Sequence, residues 1–186
     1  SVALGGTVNA SVTVYDAAGH NAGSFVDYST QLLQQDAFAN YRQILYDLTL
    51  NPGMGRYLDM VNNDAPPPNS GTAPNENYAR EVLQLFSIGV NQLRQDGTVV
   101  TDSNGDPVPT YDQEAIEGFA HVLTGWTYAP FDGAPLAKHD PPNFLSPMVL
   151  FRTPAGADTN HDKGTKGLLD YPGAPDSTVA HFRLPA

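Results

Sequence analysis

Hydrophobic and polar positions change period several times along this chain, and each change marks an expected element. In residues 7–14, "TVNASVTV", Val8, Ala10, Val12 and Val14 alternate with Thr7, Asn9, Ser11 and Thr13. A period of two is the pattern of a half-buried strand, and such a strand needs a pairing partner to be stable. From Asp36 to Leu50 the period becomes helical: Ala37, Tyr41, Ile44, Leu45 and Leu48 share a face, with Asp36 as the expected N-cap. Asn51-Pro52 restarts a helix with proline at its favoured first position, and the pattern carries it to about Asn63. Residues 64–74, "DAPPPNSGTAP", form a proline-stiffened loop, because proline removes backbone donors and blocks helix.

The next stretch, "NENYAREVLQLFSIG", predicts a helix with Asn75 as its cap and Glu76 favouring the dipole. At roughly 100° per residue, Tyr78, Ala79, Val82, Leu83, Leu85, Phe86, Gly89 and Val90 cover an arc of roughly 160°. Glu76, Asn77, Arg80, Glu81, Gln84 and Ser87 fill the other side. An arc this wide predicts contact with more than one neighbour. Residues 96–109 read as a hairpin around Asn104-Gly105. Thr110, with Gln113 three residues on, has the capping-box pattern of another helix start. The apolar face there is Ala115, Ile116, Phe119, Ala120, Val122, Leu123 and Trp126, opposed by Gln113, Glu114, Glu117, His121 and Thr124. Beyond Trp126 no period survives except "MVLF" at 148–151, one short strand.

The fold class that follows is mainly α: packed helices with a small β-hairpin, a strand-forming N-terminal segment and long Pro/Gly-rich loops. The expected organisation is a strand-forming segment at 1–24, a helical core with hairpin at 25–128, and a loop-rich segment at 129–186. At 186 residues these parts fit one domain or a piece of a longer chain. The start at Ser1 and the end at Ala186 suggest that flanking chain is missing.

Charge narrows the partners. Nine Lys and Arg against 20 Asp and Glu give a formal net charge of -11. Such a surface repels phosphate backbones and anionic lipid, which argues against nucleic acid and membrane-surface partners. It suits cations, neutral polymers such as carbohydrate, or a protein partner. No apolar run approaches the roughly 18–20 residues of a membrane span. With no cysteine, disulfides, thiolate metal sites and a Cys nucleophile are excluded.

Five side chains are candidates for catalysis: Glu76, Arg80, Glu117, His121 and His161. Glu76 and Arg80 pair at i,i+4, but Glu76 and Glu81 point apart around one helix, so a carboxylate pair needs a partner from elsewhere. Glu117 and His121 also sit at i,i+4 and can reach one centre, although a metal site needs three or four ligands. A solvated helix face accounts for the same residues. His139-Asp140 and His161-Asp162 are adjacent pairs in loops, and adjacency alone does not orient an imidazole toward its neighbour. Tyr128, Phe131 and Phe144 lie in loops and are free to stack on a ligand, whereas Trp126 belongs to the buried face.

Two loops alternate oxygen-bearing side chains as calcium loops do: Asp158, Asn160 and Asp162, and Asp102, Asn104 and Asp106. Neither completes the EF-hand pattern, since Pro107 replaces the turn glycine in one and both lack the closing Glu. Hairpin geometry explains the second set without an ion. Calcium is therefore the only cofactor the residues bring into view.

The runs "PNENYAREVLQLFSIGV" and "TYDQEAIEGFAHVLTGWTY", followed by His161-Asp162 and Lys163 to Lys166, resemble the bacterial family known as domain of unknown function 1800. "YRQILYDLTLNPGMGRYLDMVNN" is similar to the helix pair that family places just upstream. The resemblance implies an exported protein, periplasmic, cell-surface or extracellular, and carries no activity with it. Two functions remain: a non-catalytic surface, assembly or binding role with divalent-cation binding, or a hydrolase acting on a neutral polymer through carboxylates or a His-Asp pair.

Overall fold

Competition between neighbouring cap residues sets where the helices begin. A computed structural model describes residues 30, 32–131, 133–169 and 178–179. The expected N-terminal strand and the segment 1–24 lie outside the described residues. Asp36–Phe38 is a single 3-10 turn, not the start of the helix. The chain extends at Ala39, and helix α1 spans Tyr41–Leu50 with Asn40 as its cap, the Asn40 side chain accepting from the Gln43 N–H at 3.0 Å. Asn40 takes over the role expected of Asp36.

Helix α2, Pro52–Tyr57, has the expected proline at its first turn, and Asn51 Oδ1 accepts from the N–H groups of Gly53 and Met54. It stops well short of Asn63, because Asp59 and Asn62 adopt positive φ and turn the chain. Residues 64–74 are loop, as expected. Helix α3 spans Asn77–Gln84; Asn75 Oδ1 accepts from the Asn77 N–H at 2.8 Å, just ahead of the helix proper. The apolar pattern continues past the true end of α3. Ser87 Oγ donates to the Val82 carbonyl and Gly89, at φ +74, turns the chain away, so Leu85 is 67% exposed rather than core.

The hairpin turn at Asn104-Gly105 is present, with Thr101 opposite Pro107. A third extended segment joins it: Gln92 N–H donates to the Val108 carbonyl, Val108 N–H to Val100, and Val100 N–H to Gln92. Helix α4 spans Gln113–Val122 and is capped by Asp112, whose Oδ1 accepts from Ala115 N–H at 2.9 Å. The expected cap, Thr110, instead has a buried hydroxyl with no partner among the described residues.

Two antiparallel pairs complete the described structure. Strand β1 (Trp126–Thr127) pairs with β2 (Val149–Leu150), which is the strand expected at 148–151. Strand β3 (Lys166–Gly167) pairs with β4 (Thr178–Val179). Helices supply part of the core while much of the described chain is turn and loop, so the mainly α expectation is met only in part.

That core joins Leu58 and Met60 after α2, Tyr78, Ala79 and Leu83 of α3, and Ile116, Ala120 and Leu123 on or just past α4. Met148, from the loop-rich C-terminal part, closes it. Each fully buried aliphatic chain contributes about 1.5–3 kcal/mol relative to exposure. Tyr78, 2% exposed, donates its hydroxyl to Thr49 Oγ1 at 3.1 Å, and burial pushes its phenol up to about 12. Among the described residues no helix is long and apolar enough to cross a membrane.

Candidate functional site

Burying one face of α4 leaves Gln113, Glu117 and His121 at i, i+4 and i+8, a nearly straight polar stripe. At its N-terminal end Gln113 is the hub. Its Nε2 lies 3.3 Å from both oxygens of Glu76 and donates at 3.1 Å to Glu117 Oε1, while its Oε1 accepts from Arg80 Nη2 at 3.0 Å. Arg80 also bridges Glu76 at 2.6 Å, with 45% of its side chain exposed. The partner that Glu76 lacked within its own helix is thus Glu117 of α4. One carboxamide brings the two carboxylates together.

At the other end His121 Nδ1 stands 2.6 Å from Asp162 Oδ2. Asp162 is held from several sides. Its Oδ1 accepts from the Gly164 N–H at 2.6 Å and from Lys166 Nζ at 3.1 Å, and its own N–H donates to Thr124 Oγ1 at 2.9 Å. The Thr124 hydroxyl in turn donates to the His121 carbonyl at 2.8 Å. Burial pushes the Asp162 carboxyl up, but the Gly164 N–H, Lys166 and His121 outweigh it and hold it below its ordinary value. The Lys166 ammonium, 4% exposed, donates to the Asp162 and Gly164 carbonyls at 2.9 and 2.6 Å.

His161 turns the other way. It is 7% exposed, and its Nδ1 donates to the Thr124 carbonyl at 2.8 Å. Desolvation lowers its pKa, against the raising effect of that backbone bond. Two glycines permit this approach. A Cβ at Gly125, which has φ +88, would lie 3.0 Å from His161 Cα, and a Cβ at Gly118 would land on the Gly167 carbonyl oxygen. Both are close approaches between backbones that only glycine allows.

A third knot lies beside the second. Asp64 Oδ2 receives Lys138 Nζ at 3.0 Å and His139 Nε2 at 2.9 Å, and Oδ1 receives Asn160 Nδ2 at 2.8 Å. Burial raises the Asp64 carboxyl, but these three donors together bring it below its ordinary value. Neither adjacent His-Asp pair is a working pair, since His139 faces Asp64, Asp140 accepts from the Ala137 N–H, and His161 faces Thr124.

The calcium candidates do not converge. Asp158 pairs with Arg152 at 3.1 Å, Asn160 reaches Asp64, and Asp162 holds His121 and Lys166. In the other loop Asp102 Oδ1 accepts from the N–H groups of Asn104 and Asp106, which is hairpin-turn geometry. Among the described residues no group of three or more His, Asp and Glu is placed to hold a metal ion. Tyr128 is not free to stack on a ligand: it is 2% exposed and meets Phe144 edge-on, with ring centroids 5.6 Å apart. Trp126 packs against the core, as its face predicts.

Sequence reasoning missed Gln113 as a hub, although its i,i+4 relation to Glu117 was visible. Asp64 gave no local signal, because its partners lie up to 96 residues away. The family model described as "Protein of unknown function (DUF1800)" matches residues 8–181. Comparison with curated proteins and with solved structures finds no match.

Proposed function

Because the chain belongs to the DUF1800 family, whose description names no activity, we propose from its geometry that it is a non-catalytic surface, assembly or binding domain of an exported protein. One observation carries this reading. The polar side chains of the resembling runs bond one another: Asn75 turns the chain into α3, Glu76 and Arg80 meet Gln113, and Thr124 receives Asp162, which holds His121 and Lys166. Polar groups that satisfy one another in this way tie neighbouring elements together. A reaction centre needs groups left over for substrate. The acidic surface favours a cationic or neutral partner over an anionic one.

A second reading rests on the 2.6 Å contact between His121 and Asp162. A carboxylate that accepts Nδ1–H fixes the tautomer in which Nε2 carries the lone pair, as in an oriented general base. The His121 side chain is 30% exposed. That arrangement supports hydrolysis of a neutral polymer.

One experiment separates the two. The purified protein is incubated with a panel of neutral polysaccharides, with release of reducing ends and retardation in polymer-containing gels both followed. The binding reading expects retardation or no response, and no reducing ends. Turnover that disappears in His121→Asn while the melting temperature holds would establish the hydrolase instead.

A further inference from the structure

Of the cations in the described ion pairs, Lys166 is the most deeply covered, its side chain 4% exposed at the start of β3. An ammonium carries three N–H donors, and this one meets three acceptors, all from the loop just before it. They are the Asp162 carbonyl at 2.9 Å, Asp162 Oδ1 at 3.1 Å and the Gly164 carbonyl at 2.6 Å. Carbonyl and carboxylate oxygens of one short loop therefore converge on one buried positive charge.

The loop has other ties that hold it in this shape. Gly164 N–H donates to Asp162 Oδ1 at 2.6 Å, Asp162 N–H donates to Thr124 Oγ1 at 2.9 Å, and His121 takes Asp162 Oδ2. A Cβ at Gly164 would lie 3.1 Å from Asp162 Oδ1, so glycine lets the loop close this tightly. These contacts fix the carboxylate and the turn without using the ammonium. Oxygens arranged around a single positive charge are what a cation site consists of. Calcium takes about 6–8 of them, whereas the set here matches the N–H groups of one alkylammonium.

We propose that residues 162–166 form a site for a monovalent, ammonium-type cation, and that the chain fills it with its own Lys166. The lysine is a built-in counter-ion: it neutralises Asp162 from one side while His121 engages the carboxylate from the other. A buried charge is tolerated only when paired and hydrogen-bonded, and each partner here meets that need for the other. Because the loop keeps its other ties, cutting the tether leaves the oxygens in place for a free ammonium. The inference goes beyond the binding reading and holds whether His121 is a structural or a catalytic side chain.

Lys166→Ala in the full chain keeps Cβ and removes the rest of the four-carbon stem with its amine, a fragment that n-propylammonium replaces. The melting temperature of the variant is followed as n-propylammonium chloride is added. Tetramethylammonium chloride at equal ionic strength is the control, since it carries the charge without an N–H. The expected result is a variant that melts below the parent and is raised, saturably, by n-propylammonium and not by tetramethylammonium. The parent, whose site is filled, responds to neither. Lys166→Met keeps the bulk of the stem without the charge, so it is destabilised and gains nothing from n-propylammonium. A Lys166→Ala protein that gains no more from n-propylammonium than from tetramethylammonium would overturn the proposal. So would a Lys166→Met protein as stable as the parent, even if Lys166→Ala does not fold.

Discussion

His121 and Asp162, 41 residues apart, meet at 2.6 Å and join the end of helix α4 to the loop that leads into β3. The bond does not stand alone: Thr124, Gly164 and Lys166 complete a ring around the Asp162 carboxylate and backbone. Its energetic weight therefore exceeds that of an exposed pair such as Arg80–Glu76.

That contrast gives the first expectation. Arg80→Ala removes a bridge from a side chain that is 45% exposed, so it lowers stability by no more than about 1 kcal/mol. Gln113→Ala, which strips a partner from Glu76 and Glu117 together, costs about 0.5–1.5 kcal/mol. Urea denaturation of the two variants checks the order.

Packing gives the second. Leu83→Ala and Ile116→Ala, at 2% and 6% exposure, each cost about 2–5 kcal/mol. Leu85→Ala, on a side chain that is 67% exposed, stays within about 0.5 kcal/mol of the parent. Thermal melts with Leu83→Ala and Leu85→Ala equally destabilised would mean that α3 continues past Gln84.

The third concerns the close backbone approaches. Gly118→Ala drives a methyl onto the Gly167 carbonyl, and Gly125→Ala places a side chain at φ +88 against His161. Each costs about 1–3 kcal/mol. Limited proteolysis within residues 158–169 should accelerate in both, because these two approaches seat that segment against α4 and the turn that follows it.

Acid titration gives the fourth, and the signs can be worked out. His161 has a lowered folded pKa, so its unfolded form binds the proton first. Stability is intact above about pH 6.5 and declines as pH falls toward the lower folded value. Asp64 and Asp162 also have lowered folded values. Their contribution is present above about pH 4 and is lost as pH falls through those values. His161→Asn should flatten the upper limb of the stability profile, and Asp162→Asn the lower.

What was legible in the sequence was whatever one helix decides by itself. Tyr78, Ala79, Leu83, Ile116 and Ala120 are core because their spacing puts them on one face. Ends were harder to read. Asp36 and Asn40, or Thr110 and Asp112, are rival caps a few residues apart, and the winner depends on which side chain reaches an N–H once the preceding chain is placed. The candidate site was legible in its members and not in its pairing. His161 sits next to Asp162 in sequence, yet distant His121 takes the carboxylate, because the Thr124-Gly125 turn draws His161 inward. The alternating acids at 158–162 suggested one ion at their centre, whereas Lys166, four residues on, brings an ammonium to the Asp162 oxygens.

In the proposed reading the polar side chains of α3, α4 and residues 161–166 form a structural knot rather than a reaction centre. A double-mutant cycle on His121→Ala and Asp162→Ala, read by chemical denaturation, tests it most directly. The expected result is single losses of about 1–3 kcal/mol each and a coupling energy of at least about 1 kcal/mol, since the two side chains share one bond in a satisfied network. Singles that unfold like the parent, with no coupling, would contradict it and leave the pair for chemistry.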